Sequence, residues 1–171
     1  AILRNLPRNT RKVVLPFYTG GGLEVSLANK GLRVSTHTDF KILYEFWQCL
    51  LRDPSRLSEI GHHFHPIDDE DVFYLMQERI HEHTDIFIRA AVFYVINRCT
   101  ENGTVSTGQL MKGHPQFNEY VLESLKFFKT DRLHVFHKSY EDAISSAKDF
   151  MICCAPKHVV DSTGANARHF I

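Results

Sequence analysis

The chain has 171 residues, 43% of them apolar, and its 20 Lys and Arg are balanced by 20 Asp and Glu. This is the size of one ordinary domain with material for a proper core, which excludes a disordered chain, and the zero net charge gives no global pull toward nucleic acid, so any such contact needs a local patch. No apolar stretch approaches the roughly 18 to 20 residues of a membrane span, and no charged-then-apolar leader opens the sequence, so a soluble protein is expected.

In chain order, the apolar run Val13-Val14-Leu15-Pro16-Phe17 is predicted as a strand leading into Tyr18-Thr19-Gly20-Gly21-Gly22. A short helical pattern and a second apolar run ending near Asp39 follow. Glycines let the backbone turn through positive φ and approach a ligand closely, and the helix behind them offers unpaired N–H groups at its start. Asp39, seventeen residues beyond Gly22, stands where a ribose hydroxyl is commonly accepted in such βαβ units. Together these read as a nucleotide-cofactor signature, although a glycine turn also serves simply to pass from strand to helix.

Phe40–Leu51 carries Phe40, Leu43, Tyr44, Trp47, Leu50 and Leu51 at helical spacing, predicting a helix with one apolar stripe against the sheet. Asp53-Pro54 reads as an N-cap followed by proline at the first helical position, opening a helix that ends near Gly61. A histidine-rich loop follows. The segment Asp69–His81 places Val72, Leu75, Met76 and Ile80 on one face, and Thr84–Asn97 is apolar nearly all round. Thr100–Gly113 reads as a loop, and Gln116–Lys129 as a helix with Tyr120, Val121, Leu125 and Phe128 in register. Strand signals return in Leu133–His137. Ser139 with Asp142 marks a capping pattern opening a helix to about Ala147, and Phe150–Cys154 is a continuous apolar run suited to a central buried strand. From Ala155 on the chain turns polar and loses periodicity, as a loop or tail does.

Cys49, Cys99, Cys153 and Cys154 lack Cys-x-x-Cys spacing and read as reduced thiols in an intracellular setting. The start at Ala rather than Met suggests a fragment, a processed product or an ordered portion of something longer. Three further clusters have a chemical and a plainer reading. His62, His63, His65, His81 and His83 offer imidazoles, but adjacent side chains seldom converge on one metal, so a solvated loop is preferred and no metal is expected. Cys153-Cys154 with His158 resembles a nucleophile and base, but strand alternation points the two thiols to opposite faces, and core cysteines are preferred. Lys126, Lys129, Arg132 and Lys138 with Phe127 and Phe128 suggest a DNA patch, but the aromatics fit the core stripe of their helix.

In order and spacing the motifs resemble those of the Dam-like adenine-specific DNA methyltransferases. Leu15–Gly22 resembles that family's Glu-Pro-Phe-x-Gly-x-Gly, with Tyr18 at the Phe position, Gly20 and Gly22 as the paired glycines, and Pro16 in place of the Glu. Thr38-Asp39 resembles its Asn-Asp, Asn97–Gly103 its Asn-Arg-Thr-x-Phe-Asn-Gly, and Gln116-Phe117-Asn118 the Phe-Asn that follows. The resemblance covers most of Arg11–Lys157.

It implies an α/β, Rossmann-like fold of the S-adenosylmethionine-dependent methyltransferases. Residues 1–157 would form one domain with a helical insertion over about 53–130, and 158–171 a loop or tail. Tyr18, Gly20, Gly22 and Asp39 would bind S-adenosylmethionine. Where the family has its catalytic Asp-Pro-Pro-Tyr, this chain has Cys154-Ala155-Pro156-Lys157. A thiol replaces the carboxylate that accepts from the adenine amino group, and Lys replaces the ring that stacks on the flipped base. The family's Trp-x-Gly-Gly-Lys has no counterpart in Ala1–Lys12, and the strands expected beyond the catalytic motif are missing. The expectation is a catalytically degenerate binding or structural module, with a protein partner or larger assembly covering its open sheet edge. The alternative is an active adenine methyltransferase acting on DNA through a divergent motif.

Overall fold

The computed structural model describes residues 4–100 and 103–155. Among them the elements run β1 (Lys12–Leu15), α1 (Gly22–Asn29), β2 (Arg33–Thr38), α2 (Lys41–Arg52), α3 (Pro54–His62), α4 (Glu70–Arg79), a 3-10 turn (Ile80–Glu82), α5 (Ile86–Cys99), α6 (Glu119–Leu125), β3 (Leu133–His137), α7 (Tyr140–Ser146) and β4 (Phe150–Met151). The chain is α/β, with an all-parallel four-stranded sheet in the order β3-β2-β1-β4 that is compatible with a Rossmann-like architecture. It divides into two compact units, one of residues up to 41 and from 130 on, the other of residues 42–129.

The first unit holds the sheet. Val13 pairs with Val34 and Leu15 with Thr36, while Val34 and Thr36 pair in turn with Leu133 and Val135. Paired residues of parallel strands share a face, so these six form one continuous surface, and all six are buried. The opposite face is wetter: His37 is buried and stacks on Phe136 with ring centroids 5.2 Å apart, but Phe136 and His134 are exposed.

The expected central strand over Phe150–Cys154 is instead a two-residue edge strand. Phe150 and Met151 pair with Val13 and Val14, the Ile152 N–H reaches the Val14 carbonyl at 2.9 Å, and Phe150 remains 43% exposed. An apolar run signals a strand, but its burial depends on neighbours that the run itself does not encode.

Capping starts the helices of the second unit. The side chains of Asp53, Asp69 and Asp85 accept the backbone N–H of Arg56, of Asp71 and Val72, and of Phe87. Two predicted stripes are rotated. In α4 the buried residues are Phe73 and Met76, whereas Val72 and Leu75 face solvent; apolar residues at 72, 73, 75 and 76 permit either face, and the larger Phe73 goes inward. In α2 the inward set is Ile42, Glu45, Phe46, Trp47, Cys49 and Leu50, not the predicted Phe40, Leu43, Tyr44 and Leu51. Ile42, Phe46, Cys49 and Leu50 recur at helical spacing and select this face, and Arg89 of α5, which binds the Glu45 carboxylate through two hydrogen bonds of 2.8 Å, makes the burial of Glu45 tolerable. Within this unit, the Phe46 ring stacks on Tyr94 and lies 5.6 Å from Phe93, both on α5. Helix α6 is shorter than predicted, burying Leu122 and leaving Tyr120 81% exposed.

Candidate functional site

The carboxyl ends of the strands converge chemically distinct residues on one edge of the sheet, and the reversal of strand order between β1 and β4 is where open α/β sheets place ligands. At the end of β1, Gly20 and Gly21 take φ of 98° and 88°, left-handed values that a residue with a Cβ adopts only with strain. They turn the chain into α1. Gly21 is the N-cap and has no side chain to cap with. The first helical donor is the Val25 N–H, bonded to the Gly21 carbonyl at 2.9 Å, so the helix supplies no acceptor for the N–H groups of Gly22, Leu23 and Glu24.

A Cβ built on Gly20 or Gly22 meets nothing within 4 Å. At Gly20 the positive φ explains the glycine. Gly22 is the first helical residue, at an ordinary φ, and neither backbone strain nor crowding by the protein requires glycine there. The N–H groups without a helical acceptor at the start of α1, with open space over Gly20 and Gly22, leave room for an anionic group at this turn.

Behind the turn lies Glu24, fully buried. Its carboxyl accepts the Thr19 N–H at 2.7 Å and the Thr19 hydroxyl at 2.8 Å, and the Thr36 hydroxyl approaches it at 3.5 Å. Sequence reasoning missed this residue. Its signal is a Glu at the third helical position, as in a capping box, but the box template asks for Ser or Thr at the N-cap and here the cap is glycine. At the end of β2, Asp39 is exposed, and its backbone is fixed from both sides. The Thr38 hydroxyl accepts the Phe40 N–H at 3.1 Å, and His137 Nε2 at the end of β3 lies 3.0 Å from the Asp39 carbonyl oxygen. His37 Nδ1 lies 3.3 Å from the Leu15 carbonyl, and burial lowers its pKa. Tyr18 is half-buried between β1 and Gly20, and its neighbour Phe17 stacks on Tyr140 at 4.8 Å.

The end of β4 is barer. Cys154 is exposed rather than in the core, Cys153 is half-buried with its thiol pKa pushed up by burial and by Cys154, and Ala155 follows. Pro156, Lys157 and His158 lie outside the described residues, as does the 158–171 tail. Thus Tyr18, Gly20, Gly22, Asp39 and Cys154 all fall at the carboxyl ends of β1, β2 and β4, within one unit. No family model and no curated protein matches this chain.

The remaining clusters disperse. Among the described residues no group of His, Cys, Asp and Glu is arranged to hold a metal ion. His62 lies 3.6 Å from Glu123, and His65 packs edge-on to Phe117. Cys49 and Cys99 are buried thiols with pKa pushed up to about 11 and about 12, mainly by burial. Lys126 pairs with Glu123 at 2.8 Å, and Arg132 donates to the Gly31 carbonyl. Phe127, predicted in the core, is 79% exposed because α6 ends at Leu125, whereas Phe128 packs edge-on to Trp47 at 5.9 Å. No helix among the described residues is long and apolar enough to cross a membrane.

Proposed function

We propose that this chain is a methyltransferase-like module that keeps a cradle for S-adenosylmethionine and has lost the chemistry of adenine methylation, serving as a binding or structural component of a larger assembly. The observation that carries the proposal is the glycine turn at the strand-order reversal, with open space over Gly20 and Gly22 and a carboxylate, Asp39, at the end of the adjacent strand. In this reading the N–H groups at the start of α1 bind the cofactor's carboxylate, Asp39 accepts its ribose hydroxyls, and Tyr18 lines the approach. Bound there, S-adenosylmethionine would supply an electrophilic methyl group.

Methyl transfer to an adenine amino group also needs an acceptor for its protons and a ring to hold the flipped base. Cys154 and Lys157 supply neither well, and losing both interactions costs several kcal/mol of transition-state stabilisation, each ~1.4 kcal/mol being tenfold in rate. The exposed Phe150 and Met151 on the edge strand favour coverage by a partner chain.

Calorimetric titration of the chain with S-adenosylmethionine tests the cradle. Micromolar binding that Gly20→Val abolishes is expected; no heat at millimolar cofactor sinks the proposal. Methyl transfer to adenine-containing DNA by the unaltered chain would favour the active-enzyme alternative. If Cys154→Asp, Ala155→Pro and Lys157→Tyr together create activity in an otherwise inactive chain, the lost chemistry lies in that motif.

A further inference from the structure

We propose that Glu24 is a positioning residue for the glycine turn, setting the affinity of the cradle through Thr19 without touching the ligand; this rests on the cofactor reading above. A carboxyl group in a core position is costly unless its oxygens are satisfied. Glu24 is fully buried in a unit whose other buried residues are mostly apolar, Leu27 and Ala28 on its own helix and Leu15 and Val34 on the sheet among them. An apolar side chain would fill the position more favourably. Among the described residues Glu24 has no ion-pair partner, and its two short hydrogen bonds both come from Thr19.

Those two bonds fix the backbone and the side chain of one residue, the one immediately before Gly20. Gly20 and Gly21 have the widest backbone freedom of any residue type, and freezing such a turn costs about 1–2 kcal/mol per residue. With Thr19 pinned from inside the turn at 2.7 and 2.8 Å, the chain enters the left-handed stretch in one direction. The donors at the start of α1 are then presented before a ligand arrives. Glu24 occupies the inner side of the turn, and the outer side over Gly20 and Gly22 is open. A residue placed this way raises affinity by preorganisation.

The experiment compares S-adenosylmethionine affinity and thermal stability in the full chain, Glu24→Met and Thr36→Val. Met keeps the length of the side chain and offers Thr19 no oxygen acceptor, so both bonds are lost, whereas Gln could keep both by accepting the N–H and donating to the hydroxyl. Thr36→Val removes only the long 3.5 Å contact from the sheet side. We expect Glu24→Met to weaken binding at least about tenfold, the scale of a lost preorganising interaction, and to speed hydrogen exchange at the Thr19 amide. Thr36→Val should leave both unchanged whatever its effect on melting. Equal affinity in Glu24→Met and the unaltered chain overturns this inference alone. Affinity that falls in proportion to stability in both variants makes Glu24 merely structural and also overturns it. Failure of the unaltered chain to bind overturns the cofactor reading and this inference together.

Discussion

Each compact unit buries one glutamate among its described residues, and the two are solved differently. Glu45, in the helical unit, meets Arg89 in a two-bond ion pair, and Arg89 also donates to the carbonyls of His83 and Thr84. The hydrogen bond to Glu45 raises the Arg89 pKa and the pair ties α2 to α5. Glu24, in the sheet unit, is held by neutral donors of Thr19 beside the glycine turn. A charge pair joins two helices, whereas the bonds from Thr19 to Glu24 go to the conformation of a loop. The first arrangement ties packed helices together, and the second holds the turn on which the proposed cradle rests.

The largest effect separating them is expected at Arg89. Arg89→Ala removes two 2.8 Å hydrogen bonds and the ion-pair partner from the buried Glu45 carboxylate and should lower unfolding free energy by about 3–5 kcal/mol, while Glu45→Met with Arg89→Met should recover most of it. Urea unfolding of the three chains decides, and if the double variant is no better than the single, the pair does more than pack. Next is Gly20→Val, which forces a β-branched residue to a φ of 98°. A stability loss of about 1–2 kcal/mol is expected; an unchanged melting curve would mean that the turn relaxes freely and presents no fixed cradle. Ser58→Ala removes the buried 2.7 Å hydrogen bond to the Leu122 carbonyl between α3 and α6. It should cost about 1 kcal/mol and leave cofactor affinity untouched; altered affinity would erase the division between packing and site.

The smallest effect is the pH response of His37. Burial lowers its pKa, the hydrogen bond at the Leu15 carbonyl opposes this, and the charge of Lys138 adds to the lowering. The unfolded chain therefore takes up a proton near pH 6.5 that the folded chain refuses. The stabilisation is complete above that pH and is lost as pH falls through the lowered folded value. The stability difference between the unaltered chain and His37→Gln should narrow on acidification from pH 7 toward pH 5, and parallel curves would remove His37 from the account.

Local chemistry made much of this legible in advance. Asp53-Pro54 and Ser139 announce helix starts because a cap acts within three residues, and the Asp53 and Ser139 side chains do accept from Arg56 and Asp142. Leu133–His137 is a strand with the predicted bounds. Three successive glycines marked the turn. On α2 the apolar residues Ile42, Phe46, Cys49 and Leu50 already mark the inward stripe at helical spacing, and only the place of Glu45 in it depends on Arg89, 44 residues away. Glu24 was missed for a related reason: a helical glutamate reads as solvent-facing until the sheet beneath it is in place.

The sequence by itself determined the order of strands and helices, the glycine turn, Asp39 after the second strand and the thiol pair that ends the last apolar run, since each depends on neighbours along the chain. Only the tertiary structure decided that Glu24 faces inward onto Thr19 and that β4 is an edge. Hydrogen-bond partners and strand neighbours are fixed by the packing of segments distant in sequence, and no window of residues contains them.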